Sequence, residues 1–421
     1  MAQPLANINK KGVFDIQSVR DRKLKGEWNQ TGERKCFVWG QNDYGKLGLN
    51  ENNGHKSSPV QLPGTTWTNT AGAGMGWQGG VKSDGTLWNC GYAHYGNTGQ
   101  NNRTTYSSPK QIGSGTYWMQ VGATGTTSTG AISKEGGMWT WGYMVGNGIN
   151  ALGSVNISSP TQVGGSDWYF LRNAYSAGEG TQGLALKTDG RLFSWGYNTD
   201  YALGSVKAPG VNHRASSPIQ VGSNDAYYAN WTTEIAGGSD WSMAINNTNK
   251  LWGWGNNEQG QLGLNNKTDQ QTPVMIPGNW KTVACVSGDS YYATLAIKTD
   301  GTLWAWGDNQ KGQLGLNSKE EFSSPKQVGT DTNWALVAGN NRSSLATKTD
   351  GTLWSWGYNN KGQLGQNNLT EYSSPRQVGS ETHWPTYRPY LEGDVTTLGP
   401  RGSWASGLNR GWSVLLAPEM D

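Results

Sequence analysis

The sequence predicts an all-β protein: a seven-bladed β-propeller of repeats about 50 residues long, closed by pairing of its N- and C-terminal strands and preceded by a short arm. Three observations carry this. A short strand ends in Trp-Gly or a close variant at Trp39-Gly40, Cys90-Gly91, Trp141-Gly142, Trp195-Gly196, Trp254-Gly255, Trp306-Gly307 and Trp356-Gly357. From glycine to glycine the steps are 51, 51, 54, 59, 52 and 50 residues, a period that marks a radial array rather than unrelated domains. The composition agrees, with 34% apolar and 15% charged residues but 62 glycines and 23 tryptophans. Such a chain builds its core from few, large rings that bury roughly 150–250 Å² each.

Each unit reads as about four short strands. The sixth runs Leu303-Trp-Ala-Trp-Gly307, DNQKGQLG, Ser323-Ser-Pro-Lys-Gln-Val328, Trp334-Ala-Leu-Val-Ala338 and Leu345-Ala-Thr-Lys348, closing at Thr349-Asp-Gly351. Trp304 and Trp306 lie two apart on a strand, so both rings share one face and can fill the gap between neighbouring blades. Asp84-Gly85, Asp189-Gly190, Asp300-Gly301 and Asp350-Gly351 supply the φ > 0 residues of tight two-residue hairpins. The repeated Ser-Ser-Pro (57–59, 107–109, 158–160, 216–218, 323–325, 373–375) places proline at the start of an outer strand, where no ladder N–H is required. Cys90, standing where other units have tryptophan, reads as a buried thiol.

The first Trp-Gly strand has no preceding strands of its own, whereas the tail (403–416) matches the other part of a unit. The two ends are therefore expected to share one blade and remove an open edge. The expected division is an arm at 1–35, the propeller at 36–416 and a tail at 417–421.

These motifs resemble the family of the regulator of chromosome condensation, a seven-bladed β-propeller, over nearly the whole chain. A kelch propeller has a similar period, but its Gly-Gly pair is not found consistently here. The resemblance implies a binding protein rather than an enzyme. The family's namesake promotes nucleotide exchange on a small GTPase and docks on chromatin. Its partner-contacting residues lie outside the repeat motif, so none transfers to a position of this chain.

Residues 1–35 carry eight Lys/Arg and four Asp/Glu, whereas the remainder carries 25 and 26. A neutral body with a mildly basic arm is not the footprint of a nucleic-acid-binding domain. Val13, Phe14, Ile16, Leu24 and Trp28 put several apolar groups in the arm, which suggests an anchor on another surface. The arm is similar to the leaders of such propellers in bacteriophage structural proteins. No stretch approaches the ~20 apolar residues of a membrane span, the N-terminus lacks the apolar core of a secretory signal, and an odd cysteine count argues against structural disulfides.

Little in the chain spells chemistry. Gly40-Gln-Asn-Asp-Tyr-Gly45-Lys46 lacks the Ser/Thr of a phosphate-binding loop. The four histidines lie in turns without zinc spacing, and the Asn-rich turns lack the carboxylates of a calcium loop. Glu234, Asp240, Glu320 and Glu321 are not paired at a diagnostic spacing. No catalytic residue, metal or cofactor is expected. Tyrosines follow the Trp-Gly glycine (Tyr92, Tyr143, Tyr197, Tyr358) and recur at Tyr291 and Tyr292. They are read first as packing between blades, with sugar stacking or a protein partner as the other reading. The irregular segments 199–215 and 387–400 are the preferred contact loops, with Tyr201, Lys207, His213, Arg214, Tyr387 and Tyr390 as candidates.

The expected function is a non-catalytic recognition protein held by its arm on a larger assembly. A virion is the first candidate (tail fibre, tail or capsid decoration), with other virion subunits as partners and a host-surface ligand as a further one. Two alternatives stand beside it: a cytoplasmic regulator binding a small GTPase as an exchange factor, and a secreted inhibitor or lectin, since similar propellers include an inhibitor of β-lactamase.

Overall fold

The computed structural model describes residues 34–64, 66–73, 76–123, 128–143, 156–174, 182–210, 213–222, 230–288, 291–340, 342–382, 384, 386, 404–407 and 412–418. They form seven four-stranded antiparallel sheets, the blades of a propeller. Blade 2 runs Trp67–Ala73, Trp77–Lys82, Leu87–Gly91 and Tyr106–Gln111 from inner to outer strand. Blades 3 to 7 repeat that order, beginning at Trp118, Trp168, Trp231, Trp280 and Trp334. Inner strands of successive blades lie against one another, and Trp404–Gly407 touches both Trp334–Asn340 and Trp67–Ala73, which completes the ring.

Blade 1 is the composite that the sequence predicts. Its order is Lys56–Gln61, Arg34–Gly40, Trp412–Pro418 and Trp404–Gly407. Cys36 faces Leu416 and Gly40 faces Trp412 across the N- to C-terminal pairing. Arg34 and Pro418 thus lie inside strands, slightly beyond the 36–416 range read from the repeats.

There is no single core. Among the described residues the buried apolar side chains divide into seven clusters, each drawn from two adjacent blades. Between blades 5 and 6, Trp280 meets Trp306 at 5.7 Å and Trp304 at 6.4 Å. The two indoles of the motif thus do share a face, although only Trp306 is fully buried. Its Nε1 donates across the gap to the Gln261 carbonyl of the preceding blade at 2.8 Å. Trp141, Trp254 and Trp356 do the same with Asn97, Ala202 and Gln313. Cys90 is buried, and its Sγ approaches the Lys46 carbonyl at 3.9 Å in the equivalent place.

Two local expectations need correction. The Asp-Gly turns are three-residue loops: Lys298 N–H donates to Thr302 O and Gly301 N–H to Lys298 O, and only the glycine has positive φ. A three-residue loop of this kind ends in a left-handed glycine, and the Asp300 carboxylate spends itself on Thr302 N–H (3.0 Å) and hydroxyl (2.6 Å) instead of turning the chain. The prolines are mid-strand rather than first. Pro109 and Pro325 lie where the pairing with Leu87–Gly91 and Leu303–Gly307 shifts register, so the missing N–H falls at a bulge.

Candidate functional site

The propeller has two unlike faces. One carries the short Asp-Gly hairpins; the other carries the long loops that follow the seven Trp-Gly strands. Those strands end in left-handed glycines for a packing reason: at Gly255 (φ 93°) a Cβ would stand 2.3 Å from the Asp240 carbonyl. The next residue, Asn256, donates its N–H back to that carbonyl at 2.8 Å, and Tyr92, Asp308 and Tyr358 do the same in blades 2, 6 and 7, so the long loop leaves these blades in one direction.

An asparagine then shapes the loop. Asn257 Nδ2 donates to the carbonyls of Asn266 and Thr268, while its Oδ1 accepts from Leu262 N–H at 3.0 Å. Asn309 and Asn359 repeat this in blades 6 and 7. A side chain that satisfies three backbone groups holds a loop of this length in one shape. The side chains around the axis are thereby fixed by a rigid frame.

Three sectors differ in chemistry. Over blades 1 to 3 lies an aromatic seam in which Tyr44 meets Tyr92 at 4.7 Å and Tyr95 meets Tyr143 at 4.9 Å, with His94 5.0 Å from Tyr95. Tyr44 is 46% exposed and left-handed (φ 62°). Over blades 6 and 7 cations stack on tyrosines: the Arg342 guanidinium lies 3.7 Å from the Tyr291 ring centre and the Lys311 ammonium, also paired with Glu371 at 3.4 Å, 5.2 Å from that of Tyr358. Tyr92 and Tyr143 therefore pack across blade boundaries, as the simpler sequence reading has it, yet Tyr44 keeps its surface in water.

Over blades 4 to 6 the face is acidic. Asp200 (φ 48°) accepts from Asn256 Nδ2 at 2.8 Å across the blade boundary. Asp240 sits beside it, and burial, reinforced by the charge of Asp200, pushes its carboxyl up to about 7. Tyr292 of blade 6 packs on Trp241 of blade 5 at 5.2 Å. Burial and then Asp240 push its phenol up to about 12. Asp269 is raised by burial and Asp308, for the same first reason, to about 6. Among the described residues neither Asp200 nor Asp240 is ion-paired with a lysine or arginine.

Of the contact residues read from the sequence, Tyr201, Lys207, His213 and Arg214 lie together in the blade 4 loop. Asn198 organises them, donating to the Pro209 carbonyl at 2.6 Å and accepting from Leu203 N–H. The Arg214 guanidinium stands 5.0 Å from the Tyr197 ring centre. Tyr387 and Tyr390, and the anchor residues Val13, Phe14, Ile16, Leu24 and Trp28, lie outside the described residues. Sequence reasoning noted Asp240 and Tyr292 separately and missed Asp200. The available signal was positional, since Asp200 falls four residues after the glycine of its own unit.

Nothing in this face is arranged for metal binding: among the described residues no three His, Cys, Asp or Glu converge suitably. No described helix is long and apolar enough to cross a membrane.

Comparison with known proteins fits this architecture. The family model of the regulator of chromosome condensation (RCC1) repeat matches residues 35–76, 189–245, 249–295, 300–346 and 350–384, more than half of the chain. The chain is similar to the mitochondrial RCC1 domain-containing protein RUG3 of Arabidopsis thaliana, 27% identical over 316 residues that cover 69% of this chain and 66% of RUG3. It is similar also to the Arabidopsis ultraviolet-B receptor UVR8, 25% identical over 302 residues (71% of this chain, 54% of UVR8). Against the human E3 ubiquitin-protein ligase HERC2 it is 30% identical over 212 residues, 49% of this chain but 4% of HERC2. The matches thus span less than two thirds of these relatives' own lengths. Among solved structures, human WBSCR16 superposes with a TM-score of 0.72 at 19% identity, covering 92% of this chain and all of that one. Prp20p of Saccharomyces cerevisiae, described with its binding to Gsp1p and histones, gives 0.72 at 18%, covering 97% and 96%. At these identities the structural likeness speaks for the fold. These comparisons give no support to the virion role expected from the arm. With its repeat matched over more than half its length, the chain belongs to the regulator of chromosome condensation (RCC1) repeat family.

Proposed function

We propose that the chain is a regulator that binds a protein partner on its long-loop face, acting as an exchange factor on a small GTPase. The observation that carries this reading is the sectored face: a fixed aromatic seam, tyrosines stacked with Arg342 and Lys311, and an acidic junction lie on one surface of the ring. Tyrosines and arginines of this kind anchor protein interfaces, and separated charges fix the orientation of a partner and speed its arrival. The likeness to Prp20p, with its binding to Gsp1p, favours a GTPase over a scaffold subunit. The near-neutral body speaks against a chromatin platform, whose phosphate contacts require a basic surface.

The test is fluorescent-GDP release from Gsp1p and a panel of other small GTPases. Accelerated release from at least one of them, lost when Tyr44 and Arg342 are replaced by alanine, is the expected result. No acceleration and no complex with any of them would overturn the reading.

A further inference from the structure

We propose that the boundary between blades 4 and 5 is a hinge of the ring, at which the blade 4 loop swings against blade 5. Five other boundaries carry the same two-part latch at their outer rim. Five residues after the glycine of the Trp-Gly motif or its variant, a second left-handed glycine packs on the outer strand of the next blade. A Cβ at Gly45, Gly96, Gly260, Gly312 or Gly362 would stand 2.5–2.7 Å from the Cα of Ser107, Ser158, Ser323, Ser373 or Ser57 respectively. Five residues further on, a left-handed asparagine donates its N–H to the carbonyl of that same serine. Asn50, Asn101, Asn265, Asn317 and Asn367 do so at 2.7–2.8 Å. The blade 3 loop lies outside the described residues.

Blade 4 has neither part. Tyr201 stands at the glycine position and Val206 at the asparagine position, five and ten residues after Gly196. Tyr201 keeps the left-handed conformation (φ 65°), so its Cβ projects where a serine Cα would lie and holds the next strand off. Gly255 pairs with Gln270, which makes Gln271 the counterpart of the serines. Gln271 is exposed, whereas all five serines are half-buried. Val206 is 59% exposed and lies outside the left-handed region. Among the described residues no backbone hydrogen bond joins the blade 4 loop to Gln270–Ile276. The loop bonds to its own blade instead: Gly222 N–H donates to the Gly204 carbonyl at 2.7 Å, and Ser205 Oγ to the Gly222 carbonyl at 3.2 Å.

What joins the two blades lies inside that rim. Trp254 Nε1 donates to the Ala202 carbonyl at 3.0 Å, and Asn256 Nδ2 to Asp200 at 2.8 Å. Rotation about Trp254 therefore widens the rim without breaking the buried indole contact, as a hinge confines movement to a few residues between packed bodies. The moving loop carries Asp200 and Tyr201, so it reshapes one edge of the long-loop face.

The experiment is hydrogen–deuterium exchange of the full chain, read as protection factors at equivalent outer strands. Amides of Gln270–Ile276 are expected to be about five- to tenfold less protected than those of Phe322–Gln327 and Tyr372–Gln377, the effect of one missing hydrogen bond. Tyr201→Gly/Val206→Asn supplies both parts of the latch, since asparagine favours the left-handed region. It should bring 270–276 to the level of 322–327 and leave 372–377 unchanged. Gly312→Ala breaks the latch between blades 6 and 7 and should lower protection at 372–377 alone. Equal protection of the three strands in the parent would overturn the hinge, as would a folded Tyr201→Gly/Val206→Asn protein with 270–276 still fast. Gly312→Ala with 372–377 unchanged would overturn the latch itself. Circular dichroism melting checks the fold of each variant.

Discussion

Trp39 Nε1 donates to the carbonyl of Gln363 at 3.0 Å, although 324 residues separate them. The contact is the same one that joins blades 5 and 6, here made between the first Trp-Gly strand and the loop of the last complete blade. Asn367 N–H reaches Ser57 O at 2.8 Å beside it, and Trp39 packs on Trp384 at 6.4 Å. Closure of the ring therefore rests on the repeated inter-blade contact as well as on the shared blade.

Trp39→Phe keeps most of the ring volume but leaves a buried carbonyl without its donor, a cost of about 1–3 kcal/mol. Trp39→Ala adds a cavity and is expected to cost about 3–5 kcal/mol. Guanidinium unfolding of both variants checks the order. Equal losses would show that the hydrogen bond contributes nothing.

Deletion of residues 403–421 removes two strands of the composite blade and leaves two inter-blade surfaces open. Loss of a single cooperative melting transition is expected, followed by calorimetry. A truncated chain that melts as sharply as the full one would mean that closure is dispensable.

Gly255→Ala puts a Cβ 2.3 Å from the Asp240 carbonyl at φ 93°, so backbone strain of about 1–3 kcal/mol is expected. Gly329, at φ 62° with nothing within 4 Å of an added Cβ, is the control and should cost about 1 kcal/mol from backbone conformation alone. Thermal denaturation of the pair reads the difference directly.

Asp240 gives the protein a pH dependence of definite sign. Its folded value, about 7, lies above the ordinary 3.8. The protonated acid favours the folded state, so this contribution is full below about 3.8 and is lost as pH rises through about 7. Asp300 and Asp350, held low by hydrogen bonds from Thr302 and Thr352, act oppositely and only below the ordinary carboxylate value. Between pH 5 and pH 8 the parent should lose more stability than Asp240→Asn. Parallel denaturation curves in that window would contradict the assignment.

Burial pushes all three thiols up, that of Cys90 to about 12. Thiolate is the reactive form, so Ellman's reagent should find Cys36, Cys90 and Cys285 unreactive in the native protein and all three in guanidinium. Rapid native labelling of any one would show that its blade interface opens.

The ring was legible because its determinants are local and repeated: a left-handed glycine at each of seven beats, preceded by a tryptophan at six of them. The turn type was not, because Asp-Gly suits both two- and three-residue loops; only the pairing of Lys298 with Thr302 distinguishes them. The acidic junction was less legible still. Asp200, Asp240 and Tyr292 stand 40 and 52 positions apart in the chain, and only the blade-to-blade geometry brings them together. The residues singled out for their loop, Tyr201, Lys207, His213 and Arg214, belong to the same blade 4 loop as Asp200 or to the start of the strand that follows it.

Hydrogen–deuterium exchange of the chain with and without a small GTPase that responds in the exchange assay tests most directly where the proposed partner sits. Protection confined to the long loops, around 197–204, 256–269 and 291–292, is the expected result. Protection instead at the hairpins around 187–191, 298–302 and 348–352, with the long loops unchanged, would place the partner on the opposite face and contradict the central claim.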